Sequence, residues 1–345
     1  MKPLAPALLA LALAPLTAAP AAADPFVEGL VPVAPLPDAA AARARIPAGG
    51  LWFASVGDGT PSRFFIYRVD PDGVFEAYRE DGSAIYTFGW ADADTLWTLA
   101  DDGPVGEATG VIVTRFVRGQ KEREYRVGHD TWTGPGSGSW VQLMLGPGEV
   151  ALARCEEEDT DAMPPVCRKK TMRRLEGDAW VYRKKLAKGT KDVVGARYAS
   201  PLPKGIKAPP GYSVKKAKVD GLPGLACQGP DGEHLWPQES DVVNREFQVQ
   251  PKKLTWIHAK PPLLAIEGPR MTPIEILQKQ TQVLVGCPAR TPYGFHWLGD
   301  GIWAELVDLS DSRFTPWQWK IWVDDVHVAS LHGGMGLFAP APRPR

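Results

Sequence analysis

Short apolar runs separated by polar turns recur along this chain of 345 residues. Several of them are followed by stretches in which apolar and polar side chains alternate, as in 63–68 and 110–115. Alternation with a period of two predicts β-strands with one solvated face, and a short apolar run after a polar turn also predicts a strand. Six such runs stand out: 51–54, 96–99, 150–153, 225–227, 263–266 and 302–306.

The spacing of these runs indicates a repeated unit. Their second residues lie 45, 54, 75, 38 and 39 positions apart, and residues 272–276 recur in similar form as 315–319. A strand-rich repeat of about 40 to 50 residues is typical of stacked β units, which close into a ring that leaves only short free edges. We therefore predict an all-β, β-propeller-like fold of about six four-stranded blades, with seven as the alternative count. The gap of 75 residues requires an insertion or a seventh blade, and a pair of β-sandwiches is the alternative fold.

Glycine, proline and aspartate support many short strands joined by tight turns. The chain contains 35 Gly and 34 Pro. Asp-Gly pairs favour hairpin turns because both residues tolerate positive φ angles. Such pairs begin at Asp58, Asp72, Asp81, Asp102, Asp231 and Asp300. This punctuation is typical of a meander, and we place a single domain at 50–337.

The first residues have the form of a secretory signal. A positive start, an apolar stretch from Leu4 to Leu16 and a small-residue end predict cleavage near Ala23, after residues 1–23. The apolar stretch is too short to cross about 30 Å of hydrocarbon, so we expect no transmembrane span. We expect the mature protein to be a periplasmic or extracellular monomer. The Ala- and Pro-rich sequence of residues 24–49 predicts an N-terminal arm. This arm is expected either to form a helical turn across 39–45 or to add a strand to the domain. Residues 338–345 predict a disordered tail.

Four cysteines in an exported chain are expected to be paired, because the compartment is oxidising. Cys155 and Cys167 flank an acidic loop between two strand-like runs, which favours a local bridge, and Cys227 and Cys287 would then form the second. Sequence alone leaves three pairings open. A zinc site is disfavoured because no two cysteines have C-x-x-C spacing.

Positive charge is concentrated in residues 168–220. This region holds 16 Lys and Arg against 4 Asp and Glu, a balance of +12 (16 minus 4) in a chain whose net charge is −1. We interpret it as a Pro-rich excursion that binds a protein or an anionic envelope polymer, or as a solvated loop neutralised by the acidic remainder. Aromatic side chains are sparse there, so nucleic acid is not expected as a partner. The candidate contact residues are Lys184, Lys185, Lys204, Lys207, Lys215 and Lys216.

Thirteen tryptophans also raise the question of a carbohydrate surface, because indole faces stack on sugar rings. Trp52, Trp97 and Trp303 occupy one repeated strand position, which predicts packing between blades rather than ligand contact. Trp322 falls on the strand face shared with Lys320, and it is therefore the better surface candidate.

No catalytic residue can be assigned from motifs. The chain lacks a nucleophile elbow, a P-loop and a dinucleotide fingerprint. His129 and His258 lie near predicted strand ends, where a general base could act, but neither has a nucleophile to pair with. The acidic run 156–161 offers oxygen ligands and makes calcium a candidate cofactor, although the 12-residue calcium loop is missing. We predict an exported, non-catalytic binding or scaffold protein. The alternative is a propeller hydrolase or lyase acting on a glycan or ester, with calcium assistance.

Overall fold

Antiparallel strands form nearly all of the regular structure in this computed structural model. The structure describes residues 31–33, 39–57, 63–82, 85–103, 110–128, 141–159, 166–193, 202–219, 221–237, 249–269, 279–287, 292, 294–308, 317–333 and 338–343. Within these ranges there are 24 strands and one short helix, α1 (Ala40–Arg43). The all-β prediction is confirmed.

The strands belong to six antiparallel sheets, called I to VI. Sheet I has the order β1 (Val31–Val33), β4 (Gly73–Asp81), β3 (Arg63–Asp70), β2 (Leu51–Gly57), β24 (Phe338–Pro340). Sheet II comprises β5 (Ile85–Trp90), β6 (Thr95–Asp101), β7 (Gly110–Val117) and β8 (Gln120–Gly128). Sheet III has the order β12 (Ala179–Tyr182), β11 (Val166–Glu176), β10 (Glu149–Asp159), β9 (Val141–Gly146), β13 (Lys191–Asp192).

The remaining three sheets follow the chain without crossovers. Sheet IV comprises β14 (Ser213–Val219), β15 (Leu222–Gly229) and β16 (Gly232–Trp236). Sheet V comprises β17 (Lys253–Ala259), β18 (Pro262–Pro269) and β19 (Lys279–Val285). Sheet VI comprises β20 (Gly294–Gly299), β21 (Ile302–Asp308), β22 (Trp317–Val323) and β23 (Val326–His332).

The six apolar runs of the sequence are β2, β6, β10, β15, β18 and β21, one in each sheet, and each has a strand on both sides. Their largely apolar character follows from burial on both faces, as adjacent Phe53 and Ala54 of β2 face different hydrophobic clusters. Four strands are found in sheets II and VI, five in I and III, and three described strands in IV and V. The repeated segment 272–276 lies outside the described residues, as do 315 and 316.

Hydrophobic clusters join neighbouring sheets. Sheets I, II, V and VI each take part in two clusters, so both faces of these sheets are covered, whereas no cluster among the described residues joins III to IV. Each cluster takes members from two sheets: examples are Trp52 and Phe88 for I with II, Leu99 and Leu143 for II with III, Leu225 and Leu264 for IV with V, Val283 and Trp303 for V with VI, and Trp319 and Phe53 for VI with I.

Both ends of the described chain join sheet I. β24 pairs with β2, with Ser55 opposite Phe338, and β1 pairs with the far edge at β4. The predicted disordered tail is therefore wrong for residues 338–343. Phe338 is buried and stacks on Trp319 with a ring-centroid distance of 4.0 Å, which fixes the chain end to the core. In the N-terminal arm, α1 lies within the predicted helical turn and β1 supplies an added strand.

The basic region 168–220 lies largely within sheets, which corrects the prediction that it leaves them. It contributes most of β11 and all of β12 and β13 to sheet III, and β14 to sheet IV. Its basic side chains are compatible with strands because many occupy exposed positions, such as Lys215 and Lys218 on β14. These strands occupy much of the long gap between β10 and β15, and the described residues contain no seventh sheet.

The predicted bridge between Cys227 and Cys287 is present, with 6.1 Å between the two Cα atoms, and it ties sheet IV to the end of β19 in sheet V. Cys155 is also disulfide-bonded. The side chain of Cys167, its predicted partner, lies outside the described residues. In the described part of the chain, no helix has the length and apolar character needed to cross a membrane.

Candidate functional site

Residues 183–193, here called the strap, run from the outer strand of sheet III to its opposite edge. The strap begins where the Arg183 amide donates to the Met172 carbonyl at 3.0 Å. It ends in β13, which pairs with β9, and the Val193 amide then donates to the Leu143 carbonyl at 3.1 Å. The strap therefore crosses the whole width of the sheet.

A buried carboxylate holds the middle of the strap. Glu149, at the start of β10, is 5% exposed. Its Oε2 accepts a hydrogen bond from the Ala187 amide at 2.8 Å and another from the Thr190 hydroxyl. Arg174 Nη1 lies 3.7 Å from Oε1 and supplies the compensating charge. Hydrogen bonds to a buried, charged acceptor are among the stronger ones in proteins, so this contact fixes the strap on the sheet.

A second buried polar group holds the end of the strap. Gln142 donates from Nε2 to Asp192 Oδ2 at 2.5 Å and accepts at Oε1 from Lys170 Nζ at 3.1 Å. Gly146 permits the close approach, because a Cβ there would lie 2.3 Å from the Thr190 hydroxyl. The strap is thus anchored by hydrogen bonds at its middle and its end.

The carboxylates around the strap are already used by the scaffold. Glu176 binds Arg174, whose Nε lies 2.8 Å from Oε1, and also Arg183. These two hydrogen bonds lower the pKa of Glu176. Asp178 pairs with Arg123 of sheet II at 2.6 Å. Glu149, Glu176 and Asp178 therefore neutralise arginines, and Asp192 of the strap accepts from Gln142.

Four lysines of the strap remain exposed. The structure shows no ion pair between any of them and the described residues. All four lie within eight consecutive positions of the chain. They are Lys184, Lys185, Lys188 and Lys191. Lys184 and Lys185 belong to the predicted set. Lys188 and Lys191 belong to the same basic run of the sequence, so they could have been predicted together with the first two. No sequence motif pointed to Glu149 as an anchor.

The other predicted lysines lie on different sheets. Lys204 and Lys207 flank Ile206, whose amide donates to the Trp256 carbonyl of sheet V at 2.8 Å. On sheet IV, Lys215 pairs with Glu233 at 2.9 Å, and Lys216 donates to the Lys252 carbonyl. The six predicted lysines therefore lie beside three different sheets, and only Lys215 and Lys216 belong to a strand.

Trp322 does not offer a free ring face. It lies between Trp303, with a centroid distance of 5.4 Å and an interplanar angle of 8°, and His327, with a centroid distance of 5.1 Å. Phe295 stacks on Trp303 at 5.8 Å and continues the same row. Both sides of the Trp322 ring are thus occupied within sheet VI, which disfavours stacking on a sugar.

His327 and Ser330 are close but are not arranged for nucleophilic catalysis. His327 Nε2 lies 2.8 Å from the Ala329 carbonyl and 3.1 Å from the Ser330 hydroxyl. A carbonyl oxygen only accepts, so Nε2 carries the proton and cannot take one from Ser330. Burial lowers the pKa of His327, which favours this neutral form.

The two histidines expected near strand ends have different outcomes. His258 is described, and its Nδ1 lies 3.1 Å from the Pro261 carbonyl while Nε2 lies 3.2 Å from Asp324 Oδ1. Both ring nitrogens are therefore engaged within the protein. His129 lies outside the described residues.

Metal binding is not supported by the described part of the chain, where no group of three or more His, Cys, Asp or Glu side chains could hold an ion. The side chains of the acidic run 156–161 lie outside the described residues, so calcium binding there stays a prediction. No protein-family model matches the sequence, and no curated protein shows significant similarity to it.

Proposed function

We propose that this chain is an exported, non-catalytic binding protein whose six sheets are arranged as the blades of a β-propeller. Five of the six contacts that a ring of sheets I to VI requires are hydrophobic clusters, and β24 completes sheet I from the other end of the chain. A pair of sandwiches packs each sheet through one face, whereas sheets I, II, V and VI are covered on both. The packing thus favours the propeller.

The proposed partner is an anionic polymer of the cell envelope. The observation that carries this proposal is the set of strap lysines, which are exposed and have no ion pair with the described residues. Clustered like charges create a local potential that attracts a polyanion even when the net charge of the whole protein is near zero. The net charge of this chain is −1, so the attraction would be confined to the basic surface.

Binding is favoured over catalysis by the contacts of two described histidines, His258 and His327. His258 engages both ring nitrogens with protein acceptors, and His327 directs a donating nitrogen toward the Ser330 hydroxyl. Export is supported by the signal-like N-terminus and by the Cys227–Cys287 bridge, because disulfides persist in oxidising compartments.

The test is to incubate the chain from Asp24 onward with fluorescently labelled polysaccharides that are carboxylated, phosphorylated or neutral. Fluorescence anisotropy reports binding, and gel filtration of the polymer reports cleavage. We expect the anionic polymers to bind, to dissociate with added salt and to keep their length. Shortened polymer produced by this chain but not by His258→Gln would contradict the proposal and favour a hydrolase or lyase.

A further inference from the structure

We infer that the strap is the docking surface for an extended carboxylated polysaccharide, and that Glu149 and Thr190 are positioning residues that hold its lysines in a fixed array. This inference rests on the proposed binding function and narrows it to one surface and one class of ligand.

The spacing of charge on the strap suits a polymer. Lys184, Lys185, Lys188 and Lys191 span seven peptide units, which measure at most about 25 Å when fully extended. A polysaccharide with a carboxylate on each sugar can contact several of these lysines at once. A single small anion could reach only one or two of them.

The kind of basic residue also favours a repeating anion. Arginine offers a planar fork that matches one carboxylate or phosphate, whereas lysine presents a mobile point charge. Arg174 and Arg183 are both bound to Glu176, so the groups left for a ligand are lysines. Tyr182 is 57% exposed beside the strap, but a single ring does not form the row of stacking platforms that single-stranded nucleic acid prefers.

The position of the strap leaves it accessible. Leu143 and Leu152 direct one face of sheet III toward sheet II, and the alternating residues Gln142 and Glu149 bind the strap. The middle of the strap therefore lies on the face of sheet III away from sheet II, whereas its last residue, Val193, packs in the cluster that joins the two sheets. The strap lysines are exposed, and the described residues contain no cluster that would bury them against sheet IV.

The anchors reduce the cost of binding. A free loop of lysines loses backbone and side-chain freedom when it binds, whereas a segment already held in place loses less. The hydrogen bonds from Ala187 and Thr190 to Glu149 fix the backbone that bears Lys185 and Lys188. The anchors should therefore contribute to affinity without touching the ligand.

The first experiment measures binding of labelled oligogalacturonate by the chain from Asp24 onward, and compares wild type with K184E/K185E/K188E. We expect at least tenfold weaker binding and a salt dependence reduced by roughly three charges. The control is R126E/K252E/K260E, which reverses three exposed basic residues, one on β8 and two at the ends of β17, and should change affinity less than twofold. Equal losses in the two variants would overturn the strap as the docking surface.

The second experiment tests the positioning residues. Glu149→Ala leaves every strap lysine in place but removes the anchor, so we expect severalfold weaker binding and faster trypsin cleavage after Lys184, Lys185 and Lys188. Thr190→Val serves the same purpose if Glu149→Ala fails to fold, and Thr190→Ser should behave as wild type. Faster cleavage with unchanged affinity would overturn the positioning role.

The remaining outcomes separate this inference from the proposed function. Binding of oligogalacturonate that survives K184E/K185E/K188E would reject the strap and leave the proposed function standing. Tighter binding to phosphatidylglycerol vesicles or to polyglutamate would reject a polysaccharide as the ligand. Absence of binding to every anionic polymer would reject the proposed function itself.

Discussion

The contact between sheets VI and I is held by apolar packing, whereas the strap on sheet III is held by hydrogen bonds. Between sheets VI and I, the last described strand, β24, is fixed to the core because Phe338 packs within an aromatic box formed by Phe53, Trp319 and His296. On sheet III, a segment that carries positive charge must be held near water. There Glu149 and Gln142 supply hydrogen bonds in place of hydrophobic packing.

The comparison shows that antiparallel sheets of the same kind can either bury the end of the chain or hold an exposed basic segment on their face. Apolar packing gains its free energy from burial, so it suits contacts that must exclude water. Hydrogen bonds to a buried acceptor fix a backbone segment while its side chains remain exposed. The first contact should therefore dominate global stability, and the second should control local order.

The largest expected effect is at Phe338. Phe338→Ala removes the ring from the aromatic box and should reduce the free energy of unfolding by about 3–5 kcal/mol, as is usual for a buried phenylalanine. Urea denaturation followed by tryptophan fluorescence measures the change. Leu235→Ala is the control, because Leu235 is 47% exposed on sheet IV and should cost little. Similar losses at the two sites would contradict the comparison.

His296 makes the same contact sensitive to acid. Burial lowers the pKa of His296 from 6.5 to about 4. The unfolded chain therefore takes up this proton near pH 6.5 and the folded chain only near pH 4, so stability is lost as the pH falls through that window. The loss should approach about 3 kcal/mol at pH 4. Denaturant unfolding between pH 7 and pH 4 should show a flatter pH dependence for His296→Gln.

The control for this prediction is His332→Gln, which removes an exposed histidine of the same sheet. It should leave the acid dependence of wild type almost unchanged. A profile for His296→Gln that parallels wild type would show that protonation of this imidazole does not weaken the contact between sheets VI and I.

The strap should respond more weakly and more locally. Thr190→Val removes the hydroxyl that donates to buried Glu149, at an expected cost of about 1 kcal/mol or slightly more. Native-state hydrogen exchange at the Ala187 amide measures the opening, which should become roughly tenfold more frequent. Thr190→Ser keeps the hydroxyl and should preserve protection. Unchanged exchange in Thr190→Val would mean that Glu149 does not anchor the strap.

Sequence pattern was sufficient for the sheets but not for the candidate site. The apolar runs are predictable because a strand buried on both faces carries mostly apolar side chains, and each run proved to be an inner strand of its own sheet. Phe338 was missed because a three-residue strand among prolines has too little periodicity to stand out. The position of Glu149 depends on a strap 38 positions later, and no local pattern encodes that contact.

The smallest expected effect is at Leu235 of sheet IV. It tests the contact between sheets III and IV, which no hydrophobic cluster of the described residues forms. Leu235 is exposed on the face opposite Leu225 and Trp236, which pack on sheet V. Leu235→Asp should therefore change the free energy of unfolding by less than about 0.5 kcal/mol, as is usual for surface positions. Urea denaturation beside Leu225→Asp, which places a charge in the packed cluster, provides the scale. A loss above about 1.5 kcal/mol in Leu235→Asp would mean that this face is buried in solution. Sheets III and IV would then close the ring through packing, and the strap would be less open to a polymer than its exposed lysines indicate.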